Sequence, residues 1–320
     1  LSETARASGL VVSGVLELAG AAICLYAYAG LFRRSVQPVV AGLAGLLPVT
    51  AAASLLLALA VNLVSCVDLA RGGLVVPFAH DEAILHLELW GFVSSVVLAV
   101  GGRIFPRFLL LRPTRERVIP TALGLWALGS LGTPVSWMLL PAEPWSRLAA
   151  ALAQMLGGLA FVHALRLYEP PLRVSGTPHV TDPTRLWVRC AFALLLLAAA
   201  INLGLAAAEA LGSVASLTQR SAARHALAQG FVLPLIVVMA ARILPGYSGE
   251  MLHRPRLLAC MVWSILVGAV SRVLAELVGG YAPGWGAVVA LGGSLAVCAF
   301  VMFAVGLWRA TGRAPALARG

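Results

Sequence analysis

Imidazole binds metals and haem iron and carries protons near neutral pH, and only six histidines occur in the 320 residues. Two of them head the same spaced pattern. His86, four residues, Gly91-Phe92-Val93, nine residues, Arg103-Ile104, one residue and Pro106 recur without a gap as His225, four residues, Gly230-Phe231-Val232, nine residues, Arg242-Ile243, one residue and Pro245, at an offset of 139. The same offset carries Ala160-Phe161-Val162 onto Ala299-Phe300-Val301, and one of 140 carries Asn62-Leu63 onto Asn202-Leu203. Matched apolar letters count for little in so apolar a chain, but matched His, Arg and Pro at fixed spacing indicate an internal duplication. A lone His near a helix end is usually an interfacial or packing residue. Two at equal depth in two copies of one unit can face each other about a pseudo-twofold axis, the arrangement that holds a metal or a haem iron from both sides. Trp90 and Gln229, one turn on, could wall or hydrogen-bond such a group, and the glycine five residues on leaves room for a flat ring or a close helix.

The elements that must hold these residues follow from composition. Hydrophobic side chains make up 60% of the chain and charged ones 11%, with a mean hydropathy of +0.93. Soluble domains carry about a quarter charged residues, so this chain has too little polar covering for a water-facing shell, and a soluble enzyme is excluded. A helix crosses the hydrocarbon with about 20 apolar residues, and nine stretches qualify, near 9–32, 39–67, 80–104, 118–140, 145–168, 186–211, 222–245, 257–279 and 285–308. The fold class is therefore an all-α polytopic membrane protein. Residues 1–36 carry one extra N-terminal span, 37–172 a first four-span repeat, 173–185 a proline-bearing cytoplasmic linker, and 186–320 a second four-span repeat. An even number of spans in each copy makes the repeats parallel, related by an axis along the membrane normal.

All 23 basic residues are Arg. With the N-terminus outside, seventeen fall in inner segments, five in outer ones, and Arg272 lies within a span, a bias that gives N-out, C-in by the positive-inside rule. The net charge of +10 then reflects topology and attraction to the lipid bilayer, and no nucleic-acid partner is expected. The 17 residues from His to Arg cover about 25 Å of helix, which sets each Arg at the inner boundary and each His near the outer one. The five cysteines lie in or at the ends of apolar runs without CxxC spacing and read as packing residues. The first apolar run is too long for a signal-peptide core and reads as a span.

Two segments resemble a known family. His86, Gly91, Phe92 and Pro106, and the run from His225-Ala226-Leu227 through Gly230 and Arg242 to Gly246-Tyr247-Ser248-Gly249, look like the signature segments of the NnrS family, bacterial inner-membrane proteins that contain haem and copper and act in the response to nitric oxide. In span order the resemblance covers about residues 60–310. It implies His86 and His225 as haem or metal ligands, haem b as cofactor, a small diatomic ligand such as nitric oxide, an inner-membrane location, and a respiratory or electron-transfer partner in the membrane. The family's first segment usually carries a second His where this chain has Ile84, and its second usually ends in a His where this chain has Tyr247, so the resemblance implies haem more strongly than copper.

Ionisable side chains inside spans cost several kcal/mol unless they find partners, which singles out Glu17, Glu88, Glu209, Arg272 and Glu276. Arg272 and Glu276, four apart on one helix, are expected to pair. Glu88 points away from His86 around the helix and could orient another group, pass protons or snorkel. His80 is expected at the outer loop with Asp81 and Glu82. His163 and its repeat partner Met302 are a lesser candidate axial pair for a second haem site. Arg103 and Arg242 could bind an anionic group but are topology anchors first. Asn62 and Asn202 are expected to hydrogen-bond across helices. No P-loop, GxSxG, HExxH or dinucleotide fingerprint sits where it could work.

The resemblance implies a haem-binding inner-membrane protein of the nitric oxide response, and with the repeated histidines it gives an iron held near the outer face between the repeats by His86 and His225. The alternative is a proton- or ion-coupled small-molecule transporter with the repeated histidines at its central site; an assembly protein for a respiratory complex is a third reading. Against the transporter, Pro48 and Pro134 have no counterparts in the second half, so no paired helix breaks are expected.

Overall fold

Hydrocarbon offers backbone N–H and C=O groups no water to bond, so a spanning chain satisfies them internally, and here it does so with helices. The computed structural model describes residues 3–34, 43–140, 143–170, 183–244, 255–279, 282 and 284–312, and among these the regular elements are all helical. They are α1 (Glu3–Arg34), α2 (Leu43–Ala70), α3 (Phe78–His86), π1 (Leu87–Val93), α4 (Ser94–Phe108), α5 (Ile119–Leu139), α6 (Pro144–Leu165), α7 (Pro183–Ala210), α8 (Leu217–His225), π2 (Ala226–Val232), α9 (Leu233–Ile243), α10 (Pro255–Val278) and α11 (Trp285–Gly312). The runs α3-π1-α4 and α8-π2-α9 are each one continuous span, so the described residues hold nine helices long and apolar enough to cross a membrane. Pro48, Pro106 and Pro134 stand inside α2, α4 and α5 rather than ending them. Most of the linker expected at 173–185, and the segment 246–249, lie outside the described residues.

The chain divides into two compact units, one of Leu1–Glu169 with Ala206–Ser213, the other of Pro170–Leu205 with Val214–Gly320. In the first unit α1 packs on α2 and is the least buried of the spans. Glu17 of α1 accepts hydrogen bonds from Asn62 Nδ2 of α2 at 3.0 Å and from Ser13 Oγ at 3.2 Å, so the intramembrane Asn and Glu noted in the sequence satisfy each other. Glu209 likewise pairs with Arg147 at 3.3 Å. Helices α5 and α6 cross at Gly129, where a Cβ would stand 2.7 Å from the Ala150 carbonyl oxygen. In the second unit α10 and α11 cross at Gly268, 139 residues on, where a Cβ would stand 2.6 Å from the Gly292 carbonyl oxygen. Without an internal hydrophobic drive in lipid, spans associate through such close contacts of small residues.

The paired irregularity that the proline positions did not reveal lies elsewhere. Segments π1 and π2 each have seven residues, each follow directly on the repeated His, and stand 139 residues apart. The Ser94 N–H bonds the Leu89 carbonyl and the Leu233 N–H bonds the Ala228 carbonyl, five residues back in both cases. In π1 the Ser94 Oγ donates a second bond to the Leu89 oxygen at 2.7 Å. After π2 comes Pro234, which has no N–H to give and whose ring crowds the carbonyl four residues back, a conflict that a wider turn relieves. Neither helix is interrupted, in line with the expectation of no paired breaks, and the matched feature is a widening of the turn in each.

Candidate functional site

His225 ends α8, a helix started by a capping box in which Ser216 Oγ accepts from Gln219 N–H at 3.2 Å and Gln219 Oε1 accepts from Ser216 N–H at 3.0 Å. Its Nδ1 lies 3.0 Å from Glu276 Oε2 on α10 and 3.2 Å from Ser221 Oγ one turn back. Glu276 has a fully buried side chain and also accepts from Ser221 Oγ and from Arg272 Nε, each at 3.2 Å. An ionised carboxylate only accepts, so the proton of a neutral His225 sits on Nδ1 and the lone pair on Nε2. Ligating histidines are oriented in this way, donating the second ring nitrogen to a carboxylate. The His225 side chain is 24% exposed, and among the described residues its polar contacts all use Nδ1. Arg272, expected as a helix-turn partner of Glu276, is so, and it offsets the charge that burial of the carboxylate would otherwise leave uncompensated.

His86 ends α3 in a different setting. It is buried, stacks on Trp90 at 5.8 Å between centroids with planes 20° apart, and meets the edge of Trp137 at 5.6 Å. Trp90 in turn lies 6.0 Å from Trp126, whose Nε1–H donates to Ser95 Oγ at 3.2 Å. Position by position the two settings differ at an offset of 139: Glu276 stands where the first half has Trp137, Gln229 where it has Trp90, and Ser221 where it has Glu82. Gln229 Nε2 donates to the Gly292 carbonyl at 3.0 Å and holds π2 against α11. The glycines keep one role in both halves, because a Cβ on Gly91 would strike Ser54 of α2 and one on Gly230 would stand 2.7 Å from Leu194 Cδ1 of α7. One His is thus held by charge and the other by aromatic faces.

The lesser candidates are scattered. Glu88 is half-buried on π1, within electrostatic range of Glu17. His163 Nε2 accepts from Arg115 Nη1 at 2.6 Å, which occupies the lone pair an iron would need. Arg115 belongs to a cluster at the end of α6, where Glu169 also receives Arg166 and Arg112. The hydrogen bond from Arg166 leads in holding the Glu169 carboxyl below its usual range, and the same bond raises the Arg166 guanidinium. Met302 is exposed on α11. Arg103 is exposed on α4, and Arg242, exposed on α9, donates to Thr184 Oγ1 at 3.0 Å. The outer-loop placement of His80 and Glu82 is corrected: His80 Nδ1 lies 3.1 Å from Ser65 Oγ of α2, and Glu82 is 4% exposed within α3. Sequence reasoning paired Glu276 with Arg272 but missed its hold on His225, and it missed Trp137. A signal existed in the offset, which aligns both with the same place beside the repeated His.

Among the described residues no group of three or more His, Cys, Asp or Glu is gathered to hold a metal ion. Fold and site together define a polytopic helical membrane protein with carboxylate-oriented imidazole inside a span. The NnrS protein family model matches residues 3–314. The chain belongs to the NnrS family, and that membership supports a membrane protein of the nitric oxide response in general. No curated protein and no solved structure matches the chain.

Proposed function

We propose that this NnrS-family protein binds haem b through His225, with His86 as the second candidate ligand, and that it senses, buffers or converts nitric oxide or a related small oxidant. The observation that carries the reading is the 3.0 Å contact from His225 Nδ1 to the buried Glu276 carboxylate, which leaves the Nε2 lone pair oriented to ligate. Haem would supply an iron to which a diatomic ligand adds. The chain supplies the rest: Ser221 and Arg272 fix Glu276, Glu276 fixes the imidazole tautomer, and Trp90 and Trp137 lock the His86 ring in water-excluding surroundings. Copper is not part of the proposal.

A duplicated four-span unit belongs to this reading, supported by the recurrence of α3 and π1 as α8 and π2 at an offset of 139. It also includes N-out, C-in insertion in a bacterial inner membrane, supported by the arginine bias, and an electron-transfer partner in that membrane. The deciding experiment is the absorption spectrum of detergent-purified protein, oxidised and dithionite-reduced, with a pyridine haemochrome assay. Stoichiometric b-type haem that is lost in His225→Ala supports the reading; full haem content in both His225→Ala and His86→Ala overturns it. The matched π segments favour one second reading, a transporter flexing at equivalent points of two repeats; a folded protein that stays colourless with ample haem would favour it.

A further inference from the structure

Away from the histidines, a cavity of about 430 Å³ opens between α10 and α11. Its walls are Val289, Ala290 and Val297, with Ser294, Cys298 and the Arg272 head as polar groups. Val297 is 63% exposed and Cys298 is exposed, so the mouth faces outward from the helices. Arg272 uses Nε for Glu276, while Nη1 points across to α11, 3.0 Å from where a Cβ on Gly293 would be. Among the described residues Glu276 is the polar partner of Arg272, and Ser221 and His225 already share that carboxylate. The two terminal nitrogens therefore present an unfilled fork of donors to a mostly apolar groove inside membrane-spanning helices.

We infer that this cavity is a lipid site: the headgroup phosphate of a membrane phospholipid docks on Arg272, with an acyl chain along Val289 and Val297. A planar guanidinium matches phosphate oxygens two at a time, and the apolar wall matches the chain. Depth agrees. Helix α10 has 24 residues and is about 36 Å long, so if centred on about 30 Å of hydrocarbon it overhangs by about 3 Å at each end. Arg272 stands six residues before Val278, about 6 Å beneath the boundary, a distance that a snorkelling arginine spans toward the phosphate level. Neither His86 nor His225 lines the cavity; the two sites share Arg272, whose Nε holds Glu276, so the test reads Cys298 protection by lipid on the native chain rather than haem content.

Cys298 reports occupancy, and the exposed Cys24 and Cys260 serve as internal references. The detergent-purified full chain is alkylated with N-ethylmaleimide alone, with phosphatidylglycerol, with diacylglycerol of the same chains, or with inorganic phosphate, and each cysteine is followed by peptide mass spectrometry. Phosphatidylglycerol at about four times its Kd is expected to slow Cys298 about fivefold, leaving Cys24 and Cys260 unchanged, while diacylglycerol and inorganic phosphate are expected to slow none of the three. Arg272→Gln is expected to abolish the protection. Equal protection by diacylglycerol, protection by inorganic phosphate alone, or no protection by phosphatidylglycerol would each overturn the inference. The lipid comparison on the native chain decides the matter even if the variant does not fold.

Discussion

Replacing Glu276 by Gln exchanges one carboxylate oxygen for an NH₂ group at nearly constant volume, and its effect is set by the donors around that carboxylate. Three donors converge on the two carboxylate oxygens: Ser221 Oγ and Arg272 Nε on Oε1, and His225 Nδ1–H on Oε2. The amide oxygen stays with the two donors on the Oε1 side, one of them cationic, and the NH₂ then faces Nδ1. A donor there turns Nδ1 into the acceptor and moves the ring proton to Nε2, so the nitrogen that would ligate iron is blocked. Hydrogen bonds to charged groups contribute about 1.5–3 kcal/mol, which corresponds to roughly 10- to 150-fold in ligand affinity. The assay is titration of haem-free protein with haem b, tracking the Soret band, for native protein, Glu276→Gln and His225→Ala. The expected order of affinity is native, then Glu276→Gln weaker by that factor, then His225→Ala weakest. Native affinity in Glu276→Gln, with clear loss in His225→Ala, would refute the tautomer argument while leaving the ligand assignment standing.

Packing and charge dictate further outcomes. Gly268→Leu and Gly129→Leu each drive a side chain into a facing carbonyl and should destabilise the protein by about 1–3 kcal/mol or more, read as a lowered Tm in detergent; an unchanged Tm would mean those helices do not cross there. Glu17→Ala removes the Asn62 bond that ties α1 to α2, at a cost of about 0.6–1.7 kcal/mol, and a double-mutant cycle with Asn62→Ala should show the two losses to be non-additive. Because the Glu169 carboxyl is held below its usual range by Arg166, its contribution is complete above the unfolded carboxylate value and disappears as pH falls through the lower folded one. The Tm gap between native protein and Glu169→Gln should therefore persist at neutral pH and close in acid; a gap that stays constant into strong acid would contradict this pairing.

Much of the architecture was legible in the linear chain because a bilayer removes alternatives. Apolar runs of span length have to become helices there, and the nine read from composition correspond to the nine among the described residues. The Arg272–Glu276 pair was legible for a related reason, since residues four apart share a helix face whatever that helix packs against. The recurrence of His, Gly, Arg and Pro at one offset likewise needed no coordinates. The chain alone could not settle the rotation of each helix about its own axis, which is fixed by many small contacts between spans. That rotation brings Glu276 to His225 from 51 residues away and sets Trp137 against His86. The π segments escaped for a different reason: LELWGFV and ALAQGFV contain no helix-breaking proline, and their widened turns depend on a serine side chain in one copy and on a following proline in the other. Composition and periodicity determined that helices form and roughly where each span lies; only the tertiary structure decided which side chains meet, because partners from separate helices are chosen by packing rather than by spacing.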